Sequence, residues 1–284
     1  MFSSFTRSFR AGRRPTVSSS VSWSPSTDIT PAVWIDASDS ENYTTSGTTL
    51  TGVTDKTGTY TMNVNNTPTV ISSGLNGLSV FDFNGTNEYI QSDSYELQVD
   101  GSGNHWAIGL FLADTVDGTK DSFWSYETNQ TPKRDYAVSS GASNNTWPGE
   151  LDLDALSTDR ISSTIGNKQD WNNSISMDNW HIIVAIFNKT GNQILQRVDG
   201  ANIFTPVNDY DNSLSQNQEL RLMRNRASQE LDGQFAEFFA VADLPGTGGT
   251  DISDVEKAEG YLAHKWGLTS ILPSDHTYKT NPPN

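Results

Sequence analysis

Asp232-Gly233-Gln234-Phe235-Ala236-Glu237-Phe238-Phe239-Ala240-Val241 and, a short way on, Val255-Glu256-Lys257-Ala258-Glu259-Gly260-Tyr261-Leu262-Ala263-His264-Lys265-Trp266-Gly267-Leu268 decide how the rest of the chain is read. The first run is apolar enough for a buried strand. The second is the one strong helix: Val255, Ala258, Glu259, Leu262 and Trp266 recur with a 3.6-residue period and make one face. Ser253 is placed as its N-cap, with Glu256 three residues later completing a capping box. Gly267 stands where a helix end calls for positive φ, and Pro273 forbids resumption soon after. The helix is therefore short, about three to four turns, and packed by Tyr261, Leu262 and Trp266.

Outward from this block, the chain closes with Leu272-Pro273-Ser274-Asp275-His276-Thr277-Tyr278-Lys279. It opens its body with Val33-Trp34-Ile35-Asp36-Ala37-Ser38-Asp39 and continues through Gly74-Leu75-Asn76-Gly77-Leu78-Ser79-Val80-Phe81-Asp82-Phe83-Asn84-Gly85. Together with the helix, these segments resemble, in order, those of concanavalin A-like (LamG-type) jelly-roll domains found in bacteriophage virion proteins and large bacterial surface proteins. The resemblance spans roughly residues 30 to 280. One departure is His276-Thr277-Tyr278, where that group often has His-Pro-Tyr. The resemblance implies an all-β, two-sheet antiparallel sandwich with one short C-terminal helix.

Composition agrees. The 284 residues suit one large all-β domain or two small ones. Charged residues are only 18%, and there is no cysteine, which excludes a disulfide scaffold and any thiolate metal site. A net charge of −16 argues against a nucleic-acid partner, since phosphate contacts need clustered Lys and Arg. No run approaches the ~20 apolar residues of a membrane span. The N-terminus lacks the apolar core of a signal peptide. The expectation is a protein of the virion exterior that leaves the cell by lysis, with export by a separate, unmarked secretion route as the alternative.

Residues 1–31 read as an extended arm and linker ahead of a jelly-roll domain at 32–284. Arg7, Arg10, Arg13 and Arg14 stand in a stretch with no acid, so the acidic excess lies in the rest of the chain. Such Arg- and Ser-rich openings also resemble transit peptides. The arm is expected to dock on partner subunits, with Phe2, Phe5 and Phe9 as apolar anchors and the arginines meeting acidic groups. Packing on its own domain is the alternative. Pro15 to Pro31, rich in Ser and Thr, reads as linker.

Within the body, strands are expected at Val33–Ile35, Leu50–Val53, Tyr60–Val64, Val70–Ile71, Leu78–Phe83, Tyr89–Ile90, His105–Ala113, Phe123–Tyr126, Trp180–Phe187, Ile194–Val198 and Glu219–Met223. Asn84-Gly85 marks a tight turn. The Trp180-His181 start resembles the central strand of LamG-type domains. Residues 127 to 178, with Pro132, Pro148 and many Asn, Ser and Asp, read as irregular.

Three candidate sites follow. Glu150-Leu151-Asp152-Leu153-Asp154 resembles the acidic strand of laminarinase-type glycosidases, where two carboxyls ~5 Å apart serve retaining hydrolysis. In a strand, Glu150, Asp152 and Asp154 would share one face, but the local composition favours a solvated acidic loop. Asp36, Asp39 and Glu41, and Asn208, Asp209, Asp211 and Asn212, are two oxygen-rich turns of the kind that suits calcium. Asp and Asn are also simply common turn formers. Trp124, Tyr126, Trp147 and Trp171 flank the irregular segment and are the candidates for stacking on sugar rings, against packing in the core or at a subunit interface. His105, His181, His264 and His276 lack metal-ligand spacing and read as packed or hydrogen-bonded. No nucleophile elbow, phosphate loop or dinucleotide fingerprint is present.

The sequence reading is therefore a non-enzymatic phage virion component, a capsid decoration, fibre or tail protein. It would bind other virion proteins through its arm, reinforce the particle or adhere weakly to cell-surface glycans, and form a homo-oligomer whose copy number the sequence leaves open, a trimer being common in fibre or decoration proteins of this kind. Calcium is the one cofactor the oxygen-rich turns suggest. The alternatives are a free bacterial surface or secreted carbohydrate-binding module, and a laminarinase-like glycoside hydrolase.

Overall fold

The computed structural model describes residues 23–93, 104–115, 121–128, 135–140, 150–154, 169–174, 176–188, 191, 193–202, 207–208, 218–224, 230–246 and 251–284. Among these, the strands form one continuous antiparallel sheet folded into two leaves. In chain order the strands are β1 (Val33–Asp36), β2 (Tyr43–Ser46), β3 (Thr49–Thr54), β4 (Thr61–Asn65), β5 (Thr69–Leu75) and β6 (Leu78–Asn84). Next come β7 (Tyr89–Ser92), β8 (His105–Thr115), β9 (Asp121–Thr128), β10 (Asp135–Ser140), β11 (Glu150–Asp154) and β12 (Gln169–Ser174). The last are β13 (Trp180–Asn188), β14 (Gln193–Val198), β15 (Ala201–Asn202), β16 (Val207–Asn208), β17 (Gln218–Leu222) and β18 (Asp232–Val241).

The first leaf is built on β18. One of its edges takes β8 along most of its length; the other takes β6 and then β1. Beyond β8 lie β13 and β14, and β5 pairs with β6. The second leaf runs β2-β3-β4-β7-β17-β9-β10-β11-β12. A pairing of Thr49 with Thr69 joins the leaves at one corner.

Successive side chains of a strand point to opposite faces, so the continuous apolar runs of β8, β13 and β18 make the first leaf apolar on both. Phe111 and Ile183 point into the space between the leaves, where they meet Phe123, Trp124, Leu220 and Leu222 of the second leaf. Ile108, Leu110, Ile182 and Val184 point the other way and are covered by the helix α2 (Ser253–Lys265) through Val255, Ala258, Leu262, Ala263 and Trp266. A register shift between Phe235 and Glu237 resets β18, so that Ala236 joins the helix-side cluster while Phe235 and Phe238 stay between the leaves. This is the two-layer logic of a sheet that must bury two faces.

Helix α2 ends as its sequence foretold. Gly267 has φ +69°. The Leu268 N–H donates to the Ala263 carbonyl at 2.7 Å and the Gly267 N–H to His264 at 3.4 Å. This is the paired bonding of a Schellman cap. Its start differs. Ile252 occupies the N-cap, Ser253 is already helical, and no side-chain capping bond forms there. The Asp251 carboxylate accepts from the Ser253 N–H instead, so the acid two residues earlier displaces the expected Ser253–Glu256 box.

Two further expectations are corrected. The segment read as linker is packed from Trp23 onward: α1 (Pro25–Asp28) follows, Trp23 and Ile29 are buried in the helix-side cluster, and Trp23 lies 5.5 Å from the Tyr261 ring. A tryptophan and an isoleucine with an apolar face to cover outweigh the Ser/Thr-rich composition around them. The stretch 127–178, read as irregular, contains β10, β11 and β12. Antiparallel pairing on an existing edge can recruit polar Ser- and Asn-rich segments that carry no hydrophobic signal of their own.

Candidate functional site

The N-terminal and C-terminal signature segments meet around three buried carboxylates. Glu237, on β18, is fully buried. Its Oε1 accepts from Trp34 Nε1 at 2.8 Å and from the Tyr261 hydroxyl at 3.1 Å. Its Oε2 accepts from Lys265 Nζ at 2.6 Å and Trp266 Nε1 at 2.8 Å. Four donors to one carboxylate meet the requirement that a buried charge be compensated. Asp36, at the end of β1, lies alongside. Its Oδ2 receives Lys265 Nζ at 2.8 Å and Lys56 Nζ at 3.0 Å, and its Oδ1 receives the Ser38 N–H at 3.0 Å and hydroxyl at 2.6 Å. Burial pushes the Asp36 carboxyl up, but Lys265, Ser38 and Lys56 outweigh it and hold it below the ordinary carboxylate value. At Glu237 burial prevails over Lys265 and raises it.

The third carboxylate is Glu259 on α2. Arg197 of β14 grips it bidentately, with Nε 2.7 Å from Oε1 and Nη2 2.9 Å from Oε2. His276 Nε2, from the closing segment, lies 3.1 Å from Oε2. Gly260 lets this tail approach, since a Cβ there would lie 2.4 Å from Tyr278 Cβ. The helix is thus held to the sheet by two ionic clamps as well as by apolar packing. Neither clamp was anticipated. Glu237 in the middle of an apolar strand and Glu259 on the apolar helix face were the signals that could have found them.

The histidines are engaged as expected. His181 Nδ1 contacts Asp199 Oδ2 at 2.7 Å, its Nε2 lies 3.1 Å from the Ser176 carbonyl and 3.2 Å from the Ser176 hydroxyl, and His264 Nε2 lies 2.9 Å from the Tyr278 carbonyl. Burial works to lower the His181 pKa, but Asp199 and the Ser176 carbonyl outweigh it and leave it raised.

The calcium expectation is corrected at Asp36 and Asp39. The Lys56 ammonium sits 3.0 Å from Asp36 Oδ2 and 2.7 Å from Asp39 Oδ2, and a divalent cation would have to displace it. Among the described residues, no group of three or more His, Asp or Glu side chains is arranged to hold a metal. Asp209 and Asp211 lie outside the described residues, as do Trp147 and the arm residues Phe2, Phe5, Arg7, Phe9, Arg10, Arg13 and Arg14.

For the sugar-stacking candidates, Trp124 and Tyr126 are 0% and 1% exposed. Trp124 stacks on Phe111 with centroids 5.8 Å apart, and Tyr126 is edge-on to His105. Both belong to the core between the leaves and offer no open face, because the inward positions of β9 meet the inner face of the first leaf. Trp171 lies in β12. The acidic stretch expected as a loop is the strand β11, so Glu150, Asp152 and Asp154 occupy alternate positions. Asp152 is registered with Ser139 on one side and Asp170 on the other, so Asp152 and Asp170 share a face while Trp171, the next residue of β12, falls on the opposite one. The backbone therefore gathers four acidic positions and a tryptophan at the β11–β12 end of the second leaf.

The architecture is an antiparallel β-sandwich with one short C-terminal helix. No protein-family model matches the chain, and no curated protein matches it. Solved structures do. Trypanosoma rangeli sialidase in complex with sialic acid is similar at TM-score 0.50 and 8% identity, over 74% of this chain and 30% of that one. Domain 4 of the GH43 extracellular arabinanase AbnA of Geobacillus stearothermophilus, in complex with arabinotriose, has TM-score 0.48 and 12% identity, over 66% of this chain and 84% of that one. The CBM40 of Ruminococcus gnavus IT-sialidase, bound to α2,3-sialyllactose, has TM-score 0.41 and 10% identity, over 58% of this chain and 90% of that one. The chain spans about three tenths of the sialidase's length. The expectation of a non-enzyme is corrected by the first of these: the fold is shared with a sialidase chain, so the sandwich does not set this protein apart from glycosidases.

Proposed function

We propose that this chain is a glycan-recognising β-sandwich module of a phage particle, with its ligand meeting the β11–β12 end of the second leaf. The observation that carries the reading is the acidic row there, Glu150, Asp152 and Asp154 at alternate positions of β11 with Asp170 paired to Asp152, and Trp171 beside it on the other face of β12 at the end of the leaf. Carboxylates accept hydrogen bonds from sugar hydroxyls, and an indole face stacks on the ring, the pairing of polar and aromatic groups that ligand sites use. The sandwich shared with a sialidase chain solved with sialic acid supports it. Placement on the virion exterior rests on the sequence resemblance and on charge. The arginines of the arm and the anchors Phe2, Phe5 and Phe9 would dock on other virion subunits, while the acidic body stays soluble.

The test is titration of the full chain with an oligosaccharide panel that includes sialyllactose and arabinotriose. Saturable binding that Trp171→Ala abolishes supports the site; binding untouched by Trp171→Ala and by Trp147→Ala refutes it. For the arm, co-sedimentation with purified particles should be lost when Arg7, Arg10, Arg13 and Arg14 are all changed to Ala, and retained co-sedimentation refutes that part.

A second reading is favoured by β11 being a strand: glycoside hydrolysis, with Glu150 and a second acid of the same strand as the carboxyl pair. Release of reducing sugar from a β-glucan, lost in Glu150→Gln, is the expected result. Turnover unchanged by Glu150→Gln excludes these residues.

A further inference from the structure

The arrangement around Asp36 is more specific than an ion pair requires. One ammonium, Lys265 Nζ, touches two carboxylates at once, Asp36 Oδ2 at 2.8 Å and Glu237 Oε2 at 2.6 Å. Asp36 is 4% exposed and Glu237 fully buried. The rings of Tyr261 and Trp266 flank the amine, with centroids 5.6 Å and 5.3 Å away, and Trp34 lies under Lys56. The two Asp36 oxygens are treated differently. Oδ1 is held by the Ser38 N–H and hydroxyl, whereas Oδ2 faces only the two ammonium groups.

We propose that Lys265 and Asp36 condense to an intramolecular amide that covalently ties the first strand of the sandwich to its last helix, with Glu237 relaying the proton. The bond that forms joins Lys265 Nζ to Asp36 Cγ, and the bond that breaks is Cγ–Oδ2. The ammonium has three hydrogens. One passes to Glu237 Oε2, freeing the lone pair for attack, and is then delivered to Oδ2. A second follows to the same oxygen, which leaves as water. The third remains as the amide N–H. One positive and one negative charge disappear together, so no oxidant, cofactor or external base is needed.

Each neighbour has a part in this. Ser38 donates two hydrogen bonds to Oδ1, the atom on which negative charge grows as the carboxyl carbon becomes tetrahedral and which ends as the amide carbonyl. Lys56 is held in place by Asp39 at 2.7 Å and polarises the departing Oδ2 at 3.0 Å. Glu237 is raised by burial and is in direct contact with the amine whose proton it must take. Holding amine and carboxyl in contact replaces a bimolecular encounter, and such intramolecular reactions reach effective molarities of about 10⁵–10⁸ M. Condensation is disfavoured in bulk water but here yields an amide in a site walled by Trp34, Tyr261 and Trp266. It also removes a buried ion pair whose desolvation is costly. Lys56 keeps Asp39 as its partner, and Glu237 keeps the donors Trp34, Tyr261 and Trp266.

Lys56 contacts the same oxygen and is the competing nucleophile. Lys265 is assigned because it alone of the two also contacts Glu237.

The test is the intact mass of the full chain under denaturing conditions, after the folded protein has been incubated at neutral pH, with proteolytic mapping. The expected wild-type mass is lower than that of the sequence by one water, and digestion should yield a branched peptide joining the segments of Asp36 and Lys265. Lys265→Arg should show no deficit, Asp36→Asn should lose ammonia instead of water, and Glu237→Gln should slow or abolish the loss. A wild-type chain that keeps its full sequence mass and gives only linear peptides overturns the proposal. So does a deficit that persists in Lys265→Arg, which would place the bond elsewhere. The decisive readings are on the wild-type protein and do not depend on any variant folding.

Discussion

Replacing Arg197 by leucine would expose how much of the helix's attachment rests on its buried charges. In the folded protein the guanidinium and the Glu259 carboxylate are 4% and 0% exposed and share two contacts of 2.7 Å and 2.9 Å. Arg197→Leu leaves Glu259 between the sheet and α2 with His276 as its remaining side-chain partner, 3.1 Å away. An uncompensated charge in such a place costs about 3–5 kcal/mol. At roughly 2–4 °C per kcal/mol for a large domain, Tm should fall by about 6–20 °C. The double variant Arg197→Leu/Glu259→Leu removes both charges and should recover most of that loss, because an apolar replacement of a buried pair is often close to neutral. Calorimetry on the parent and the two variants measures this directly. The reasoning fails if Arg197→Leu costs no more than the ~0.5 kcal/mol of an ordinary surface change, or if the double variant melts below the single one.

Other outcomes follow from the same geometry. Gly260→Ala should destabilise by about 1–3 kcal/mol and make the closing segment more susceptible to protease, since its Cβ would stand 2.4 Å from Tyr278 Cβ; an unchanged cleavage rate counts against the close approach. His181 has its pKa raised above the ordinary 6.5 when folded, so its contribution is fully present below that value and is lost as pH rises through the folded pKa. Asp199→Asn should flatten the stability–pH curve in that neutral-to-alkaline window, and an unaltered curve would exclude the pair as its source. Burial raises the pKa of Asp82 and Asp114, with Asp232 adding to it at both and Asp82 and Asp178 also at Asp114. Their contribution is present below the ordinary 3.8 and lost as pH rises through the raised values. Asp114→Asn should therefore stabilise the protein at neutral pH; a lower Tm would contradict that.

What the sequence disclosed depended on the physical signal each element carries. β8, β13 and β18 are long apolar runs, and the sheet they form is apolar on both faces for the same reason. The Gly267 end of α2 was legible because positive φ at a helix C-terminus leaves few alternatives to glycine. β10–β12 were not legible, because Ser-, Asn- and Asp-rich segments hold their place by pairing with an edge and carry no periodicity. Asp36 could be read only as a turn former or a calcium candidate, because its partner Lys265 lies 229 residues away and sequence spacing says nothing about such a contact. For Trp124 and Tyr126, beside a region read as irregular, the sequence left sugar stacking and packing in the core or at an interface both open. Once β10 pairs with β9 and β17 flanks its other side, they belong to the interior.

The measurement that bears most directly on glycan recognition is equilibrium titration of the full chain with the oligosaccharide panel, run in parallel on wild type and Trp171→Ala. Saturable binding by wild type, lost in the variant while its melting temperature is preserved, is the expected result. A correctly folded wild-type chain that neither binds nor cleaves any member of the panel would contradict the account.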